Sequence, residues 1–437
     1  MKEFFKKLGE KIKANKKKTI VISVISFVLV CVIITLACLG AFLFNRFSEG
    51  YVPTDEQLAA AKGQYKRVII IGVDGVGDYF NHVYTPNFDR LFDTEKNASV
   101  TYTGTAVYPT ISCENWMSMF HGVRPVYHGF LFKDTNQRVE AGEKTDSEKY
   151  PSFMKQYLDQ NPTGKIFSSC TWRGVNNGVI EDDPRITKYN SDAEQIYQFL
   201  NGETIYSRVT DTECQQNYKI ENGQKVLEKN SSNKYEEINA FVEAPIEDKK
   251  GFLETFLSAE VLLHGYGDET IAMRDAITVQ RVIEANTTAY YDTEENVWKY
   301  QAKNDYAISY MHLDQVDHAG HSYGYSKPGY CDAVSRVDTL IGWLYDAFEE
   351  AGMLDDTLFI LCTDHGHRYP GGHKNHGKNT TEEVNVTFAI AGKTVKKGQP
   401  GKYVNTDLPA IVSYALGVKA ADTWQGRVPY DMFTALN

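Results

Sequence analysis

No Cys-x-x-Cys pair, internal repeat or low-complexity tract occurs in the 437 residues. These absences exclude a paired-cysteine metal site and a repeat array. Of the seven cysteines, Cys31 and Cys38 fall in an apolar N-terminal run, and the other five are odd in number and widely spaced. No disulfide framework is expected from them. Positive charge is outnumbered beyond the first residues. Met1–Lys18 holds eight Lys and two Glu, or +6, so the net charge of −11 leaves −17 on the remainder. Such an acidic body is a poor partner for duplex nucleic acid, and none is expected. Charged residues at 24%, hydrophobic residues at 42% and aromatics at 13% exclude disordered and fibrous classes. The length fits one large domain with an insertion, or two domains.

The N-terminus divides into three expected pieces. Residues 1–18 are a basic segment. Thr19–Phe44 is 26 residues without a charge, longer than the roughly 20 that cross a bilayer as a helix. Its Lys-rich flank predicts a single-pass signal-anchor with a cytoplasmic N-terminus and an extracellular body at the cell membrane. Residues 45–65 read as a tether with a helical piece at Asp55–Lys62.

From Arg67 on, strands and helices alternate, which predicts an α/β fold with a mostly parallel sheet. Arg67–Val73 is a short apolar run ending in Asp74-Gly75, as a buried parallel strand ends. Tyr306–Leu313 leads to Asp314-Gln315-Val316-Asp317-His318-Ala319-Gly320-His321, and Thr357–Cys362 to Thr363-Asp364-His365-Gly366. Between about 183 and 304 the composition turns rich in Tyr, Asn, Glu and Lys, with helical runs at Ala193–Leu200, Lys250–His264 and Thr270–Ala285. This stretch is expected as an insertion or cap on the catalytic domain, 66–433.

A β-prone run, Ala98–Ala106, delivers Tyr108-Pro109-Thr110-Ile111-Ser112-Cys113 to the mouth of a helix. Free N–H groups there favour an anion such as phosphate. A hydroxyl at this place is more often a helix cap than a nucleophile. Three other strand ends change that weighting, because they gather Asp74, Asp317 with His321, and Asp364 with His365. Carboxylates with imidazoles form a ligand set for Zn²⁺ or a similar metal. Asp317 and His321, four residues apart, share one face of a helical turn.

These motifs resemble the alkaline-phosphatase superfamily, and within it the type I phosphodiesterase / nucleotide pyrophosphatase branch. The resemblance runs from about Arg67 to Pro429. It rests on Gly72-Val73-Asp74-Gly75, Thr85-Pro86-Asn87, Tyr108-Pro109-Thr110-x-Ser112, Asp317-x-x-Gly320-His321 and Thr363-Asp364-His365-Gly366. It implies an alkaline-phosphatase-like central sheet with helices on both faces, and two Zn²⁺ ions. One ion would be held by Asp74, Ser112, Asp364 and His365. The other would be held by Asp317, His321 and His376, with His373 as the rival. The family pattern puts the nucleophile on Ser112 and leaves Thr110 as the rival. Lys133 and Asn136 lie near the family's phosphate-binding position, and Glu114 stands where Pro is usual. His367 and His318 are expected either behind the ligands or exposed, and His312 along its strand.

The activity implied is hydrolysis of phosphoric esters, of phosphodiesterase or nucleotide-pyrophosphatase type, through a phospho-Ser intermediate. The substrate would be a phosphate ester, whether a nucleotide or a lipid head group. A phosphomonoesterase or a transferase of phospho-alcohol head groups is the alternative on the same site, and a surface ligand-binding protein is the non-enzymatic one.

Overall fold

The computed structural model describes residues 2–43, 48–191, 218–221, 224–227, 268–368, 373–398 and 401–434. The chain forms two units, Met1–Arg46 and Phe47–Asn437. In the first, Lys2–Leu43 is one helix that takes in the apolar run up to Leu43. Among the described residues no helix is long and apolar enough to cross a membrane. The described residues do not include every side chain of this helix. The expected membrane span is therefore not shown by the structure, and it rests on the sequence alone.

The second unit is built on seven strands: β1 Arg67–Val73, β2 Ala98–Thr105, β3 Ile166–Cys170, β4 Ile186–Asn190, β5 Ile308–Leu313, β6 Thr357–Thr363 and β7 Asn385–Ala391. Their order across the sheet is β2-β7-β6-β1-β5-β3-β4. Neighbours from β6 to β4 pair in parallel. β7 runs antiparallel to both β6 and β2. The sheet is thus mixed rather than only parallel.

Alternate residues of β1 enter two separate cores. Ile69, Ile71 and Val73 join one, and Val68 and Ile70 the other. A strand buried on both faces has to read as a continuous apolar run, as this one does. The first core is closed by Val334, Val337, Leu340 and Leu344 of the helix Pro328–Glu350, and by Ile277 and Ile283 of Asp268–Asn286. The second is closed by Trp116, Met119 and Phe120 of Ser112–His121, and by Ile411 and Val412 of Leu408–Ala415. Helices therefore cover both faces, as expected.

The stretch expected as an insertion from about 183 contributes β4, an edge strand parallel to β3. Its later part packs Asp268–Asn286 into the first core and forms the hairpin Thr287–Asp292 with Val297–Ala302. The helical runs expected at Ala193–Leu200 and Lys250–His264 lie outside the described residues. Asp55–Ala61 is helical, and Thr54 and Gln57 cap it reciprocally.

Candidate active site

Strand register sets the site. Val73 of β1 lies level with Leu313 of β5 on one side and Thr363 of β6 on the other. Asp74, Asp314 and Asp364 therefore leave three neighbouring strands at one edge, where ligands gather in open α/β sheets. Asp317 follows in the first turn of Gln315–Tyr323, with His321 one turn later. Gly75 permits the approach. Its φ is +67°, and a Cβ there would lie 2.6 Å from Asp317 Oδ1. Its N–H donates to Asp364 Oδ1 at 2.9 Å.

Ser112 is the first residue of the helix Ser112–His121, and Ile111 is its N-cap without a side-chain hydrogen bond. Neither hydroxyl caps this helix. Ser112 Oγ donates to Asp74 Oδ1 at 3.3 Å and lies 3.2 Å from His365 Nε2. Thr110 Oγ1 instead donates to the Lys378 carbonyl at 2.7 Å and accepts from Gly377 N at 3.0 Å. The rival hydroxyl is thus engaged with the loop that carries His376. Asn115 holds the preceding turn. Its Oδ1 accepts from Val107 N, and its Nδ2 donates to the carbonyls of Val107, Pro109 and Ile111. Asn405 Nδ2 links Asn115 Oδ1 to the Asp364 carbonyl.

Among the described residues the donor atoms form four overlapping groups, and two of them match the expected ligand sets. Asp74, Asp364 and His365 offer ligand atoms within 4.8 Å of one another, and so do Asp317, His321 and His376. The three histidines share one arrangement. His365 Nδ1 faces the Gly366 carbonyl at 3.1 Å, His321 Nδ1 the Lys374 carbonyl at 2.6 Å and His376 Nδ1 the Thr110 carbonyl at 2.6 Å. Each Nδ1 therefore donates to its carbonyl, so each neutral ring turns an Nε2 lone pair to the site, and His321, beside Asp317, also takes a proton there. The Nε2 atoms of His321 and His376 stand 3.2 Å apart. Two lone pairs at that distance repel unless a cation or proton lies between them. Buried Asp364 Oδ2 and Asp317 Oδ1 have no hydrogen-bond partner among the described residues. This donor set fits a divalent metal pair, and carbonyl-anchored imidazoles are the usual support for one.

Charge points the same way. Burial, with Asp74 nearby, holds the Asp364 carboxyl well above the usual range. Burial also pushes against ionisation of Asp74, but the His312 hydrogen bond and the His365 charge bring it below the ordinary value. At Asp317 burial is likewise overcome, first by the His321 hydrogen bond and then by the nearby His367 and His376 rings, so its carboxyl falls well below that value. Hydrogen bonding to Asp317 raises His321 to about 9, and burial lowers His376 to about 3. Three packed carboxylates share protons and positive imidazoles, and a bound cation would displace both.

Sequence reasoning overlooked several supports. His312 Nε2 and Trp116 Nε1 both donate to Asp74 Oδ2, at 3.0 and 2.9 Å. His312 is an imidazole on a fully buried strand, and that was the legible signal. His367 takes the first of its two expected positions, behind the ligands rather than exposed. It is fully buried, with Nε2 2.8 Å from Asp317 Oδ1. The expected rival His373 is exposed and belongs to neither group. Asn136 Oδ1 accepts from Cys113 N at 3.1 Å, so it occupies an N–H of the helix mouth expected for an anion. Lys133 points to solvent, with an ion pair of 3.8 Å to Asp134. Glu114 ties this loop down, because its carboxylate accepts from Phe132 N at 3.0 Å and Thr135 Oγ1 at 2.8 Å.

Known proteins share parts of this chain. It is 27% identical over 168 residues to the catalytic subunit of human GPI ethanolamine phosphate transferase 2, covering 35% of this chain and 17% of that protein. It is 31% identical over 109 residues to alkaline phosphatase PhoK of a Sphingomonas species, covering 24% of this chain and 19% of that one. The matched part thus spans under a fifth of either relative. Crystalline wild-type alkaline phosphatase PafA has the same fold, with a TM-score of 0.53 at 11% identity, over 85% of this chain and 99% of that chain. The model of the type I phosphodiesterase / nucleotide pyrophosphatase family matches residues 68–369, well over half of the sequence, and the chain belongs to that family.

Proposed function

We propose that this chain is a two-metal phosphoric-ester hydrolase of phosphodiesterase type with Ser112 as nucleophile. The supporting observation is the facing pair of Nε2 lone pairs on His321 and His376, each anchored through Nδ1, beside Asp317. Asp74, Asp364, His365 and Ser112 would hold one Zn²⁺, and Asp317, His321 and His376 the other. Bound there, the ions would lower the pKa of the serine hydroxyl and offset charge on the phosphoryl oxygens.

The chain's own groups account for the rest. Asn115 fixes the turn that presents Ser112, and Asp74 and His365 orient its Oγ. The Oγ–P bond forms as the bond from phosphorus to the leaving alcohol breaks, and water then attacks the phospho-Ser. Thr110, bonded on both sides to 377–378, keeps the His376 loop in place and takes no part in bond making.

The ethanolamine phosphate transferases among the relatives favour a second reading on the same residues, in which an acceptor alcohol resolves the phospho-Ser. We further propose that Thr19–Phe44 anchors the protein in the cell membrane with the catalytic unit outside, on the strength of its uncharged length. Protease digestion of intact cells tests this orientation, and a catalytic unit that is cleaved only after lysis would refute it.

The functional test compares bis(p-nitrophenyl) phosphate, p-nitrophenyl phosphate and a thymidine monophosphate nitrophenyl ester, with and without chelator. Chelation and Ser112→Ala should each reduce turnover to background, whereas Thr110→Ala should retain part of it. Full activity in Ser112→Ala would overturn the nucleophile. A phospho-protein discharged by ethanolamine or glycerol but not by water would select the transferase.

A further inference from the structure

The family pattern supplies the second metal group with three protein ligands, and a fourth imidazole in this chain is left over. His367 is 0% exposed, and neither of its ring nitrogens has a hydrogen-bond partner among the described residues. An unsatisfied buried nitrogen costs about 1–3 kcal/mol, and native structures explain such groups by an ion or a water. Its Nε2 lies 2.8 Å from Asp317 Oδ1, which is also buried without a hydrogen bond. The two atoms are close but not aligned for donation, as two donors aimed at a common third point would be.

The ring is held in place. Tyr325 stacks on it with centroids 6.0 Å apart, and Tyr330 meets it edge-on at 5.9 Å. A Cβ at Gly320 would lie 2.6 Å from its Cε1 and Nε2, so the glycine one residue before His321 leaves room for this imidazole. Its ligand atom also lies within 4.8 Å of those of Asp317 and His365.

We propose that His367 is a further ligand of the second metal centre, acting through Nε2 from the buried side of Asp317. This rests on the two-metal reading above. Catalytic zinc sites keep a position for water or substrate and can expand to five ligands, so His367 would be a fourth protein donor beside that open position. A fourth protein donor makes this ion the more tightly held of what three ligands would allow. Unlike the other three histidines, His367 has no carbonyl on Nδ1 among the described residues, and metal coordination would satisfy its Nε2.

The test uses the full-length chain, stripped of metal and titrated with Zn²⁺ against a chromophoric chelator, and with Co²⁺ followed by its visible spectrum. His367→Phe preserves the aromatic packing, His367→Gln preserves a polar group, and His321→Ala is the control. Two ions should bind the parent chain. Both His367 variants should weaken one of them at least about tenfold, the ion that His321→Ala also loses, and should change the Co²⁺ bands of that site. A His367 variant with native circular dichroism, both affinities and an unaltered Co²⁺ spectrum would overturn the proposal while His321→Ala still loses its ion. Fewer than two ions on the parent chain would instead overturn the two-metal reading itself.

Discussion

Asp74 directs one oxygen at Ser112 and gives the other to His312 and Trp116. Carboxylates that ligate metals are oriented by such outer partners, whose loss costs about 10–100-fold in metal affinity or activity. Trp116→Phe removes the N–H together with the outer indole carbons that pack over Gly72, so it also leaves a small cavity. Titration of the variant with Zn²⁺ should show weaker binding at the first site by that factor, with the second site unchanged. Gly75→Ala is expected to be harsher. The left-handed backbone there costs a side chain about 1–2 kcal/mol, and its Cβ would press on Asp317 Cα at 2.7 Å. Thermal unfolding should fall by several degrees, and the second ion should be lost.

Among the elements, the short helix Pro86–Leu91 depends on a residue from far along the chain. Its Thr85 N-cap makes no side-chain hydrogen bond to it. Buried Asp338 does the work of a cap, accepting from Phe88 N at 2.7 Å and from Asn87 N and Nδ2 at 3.3 and 3.0 Å. A carboxylate also suits the positive end of a helix. Asp338→Ala should lower unfolding stability by about 3 kcal/mol, and Asp338→Asn by less, as read by denaturant titration. Local sequence showed that a helix begins at Pro86, since Pro is favoured in the first turn. It did not show the cap, because a partner some 250 residues away becomes a neighbour only after the sheet has formed. The cap reading of Ser112 failed for the converse reason. Local statistics favour capping, but Asp74 and His365, brought in by two other strand ends, take the same hydroxyl.

For the whole molecule, two buried groups outside the metal site give stability a pH dependence with opposite signs. Burial, with His121 nearby, lowers His128 to about 3, and Phe130 N donates to its Nδ1 while Nε2 faces Ser118 Oγ at 3.1 Å. The unfolded chain takes up a proton near the ordinary pKa and the folded chain does not. Stability should therefore fall as pH drops from about 6.5 toward 3, and His128→Gln should flatten that limb. Burial raises Asp407 to about 7 against hydrogen bonds from Val404 N and Arg427 N. There the folded state keeps its proton longer, so stability should decline as pH rises from about 4 to 7. Asp407→Asn should remove that decline. Unfolding midpoints across pH 4 to 8 measure both.

Much of this molecule was fixed by the order of its residues. Apolar runs ending just before Asp74, Asp314 and Asp364 mark buried strands with carboxylates at their C-terminal ends, since strands covered on both faces read so. The i, i+4 spacing of Asp317 and His321 places both on one helical face without further information. The long uncharged run before Asn45 is likewise a property of composition. Tertiary structure alone decided the rest. It turned β7 antiparallel, drew β4 into the sheet from a stretch that reads as an insertion, and separated Thr110 from Ser112 by bonding the first to Gly377 and Lys378. It also chose His376 over His373 as the imidazole beside His321 and brought buried His367 against Asp317. The physical reason is the same in each case. Strand pairing and imidazole placement depend on contacts between residues tens to hundreds of positions apart, which no local pattern encodes.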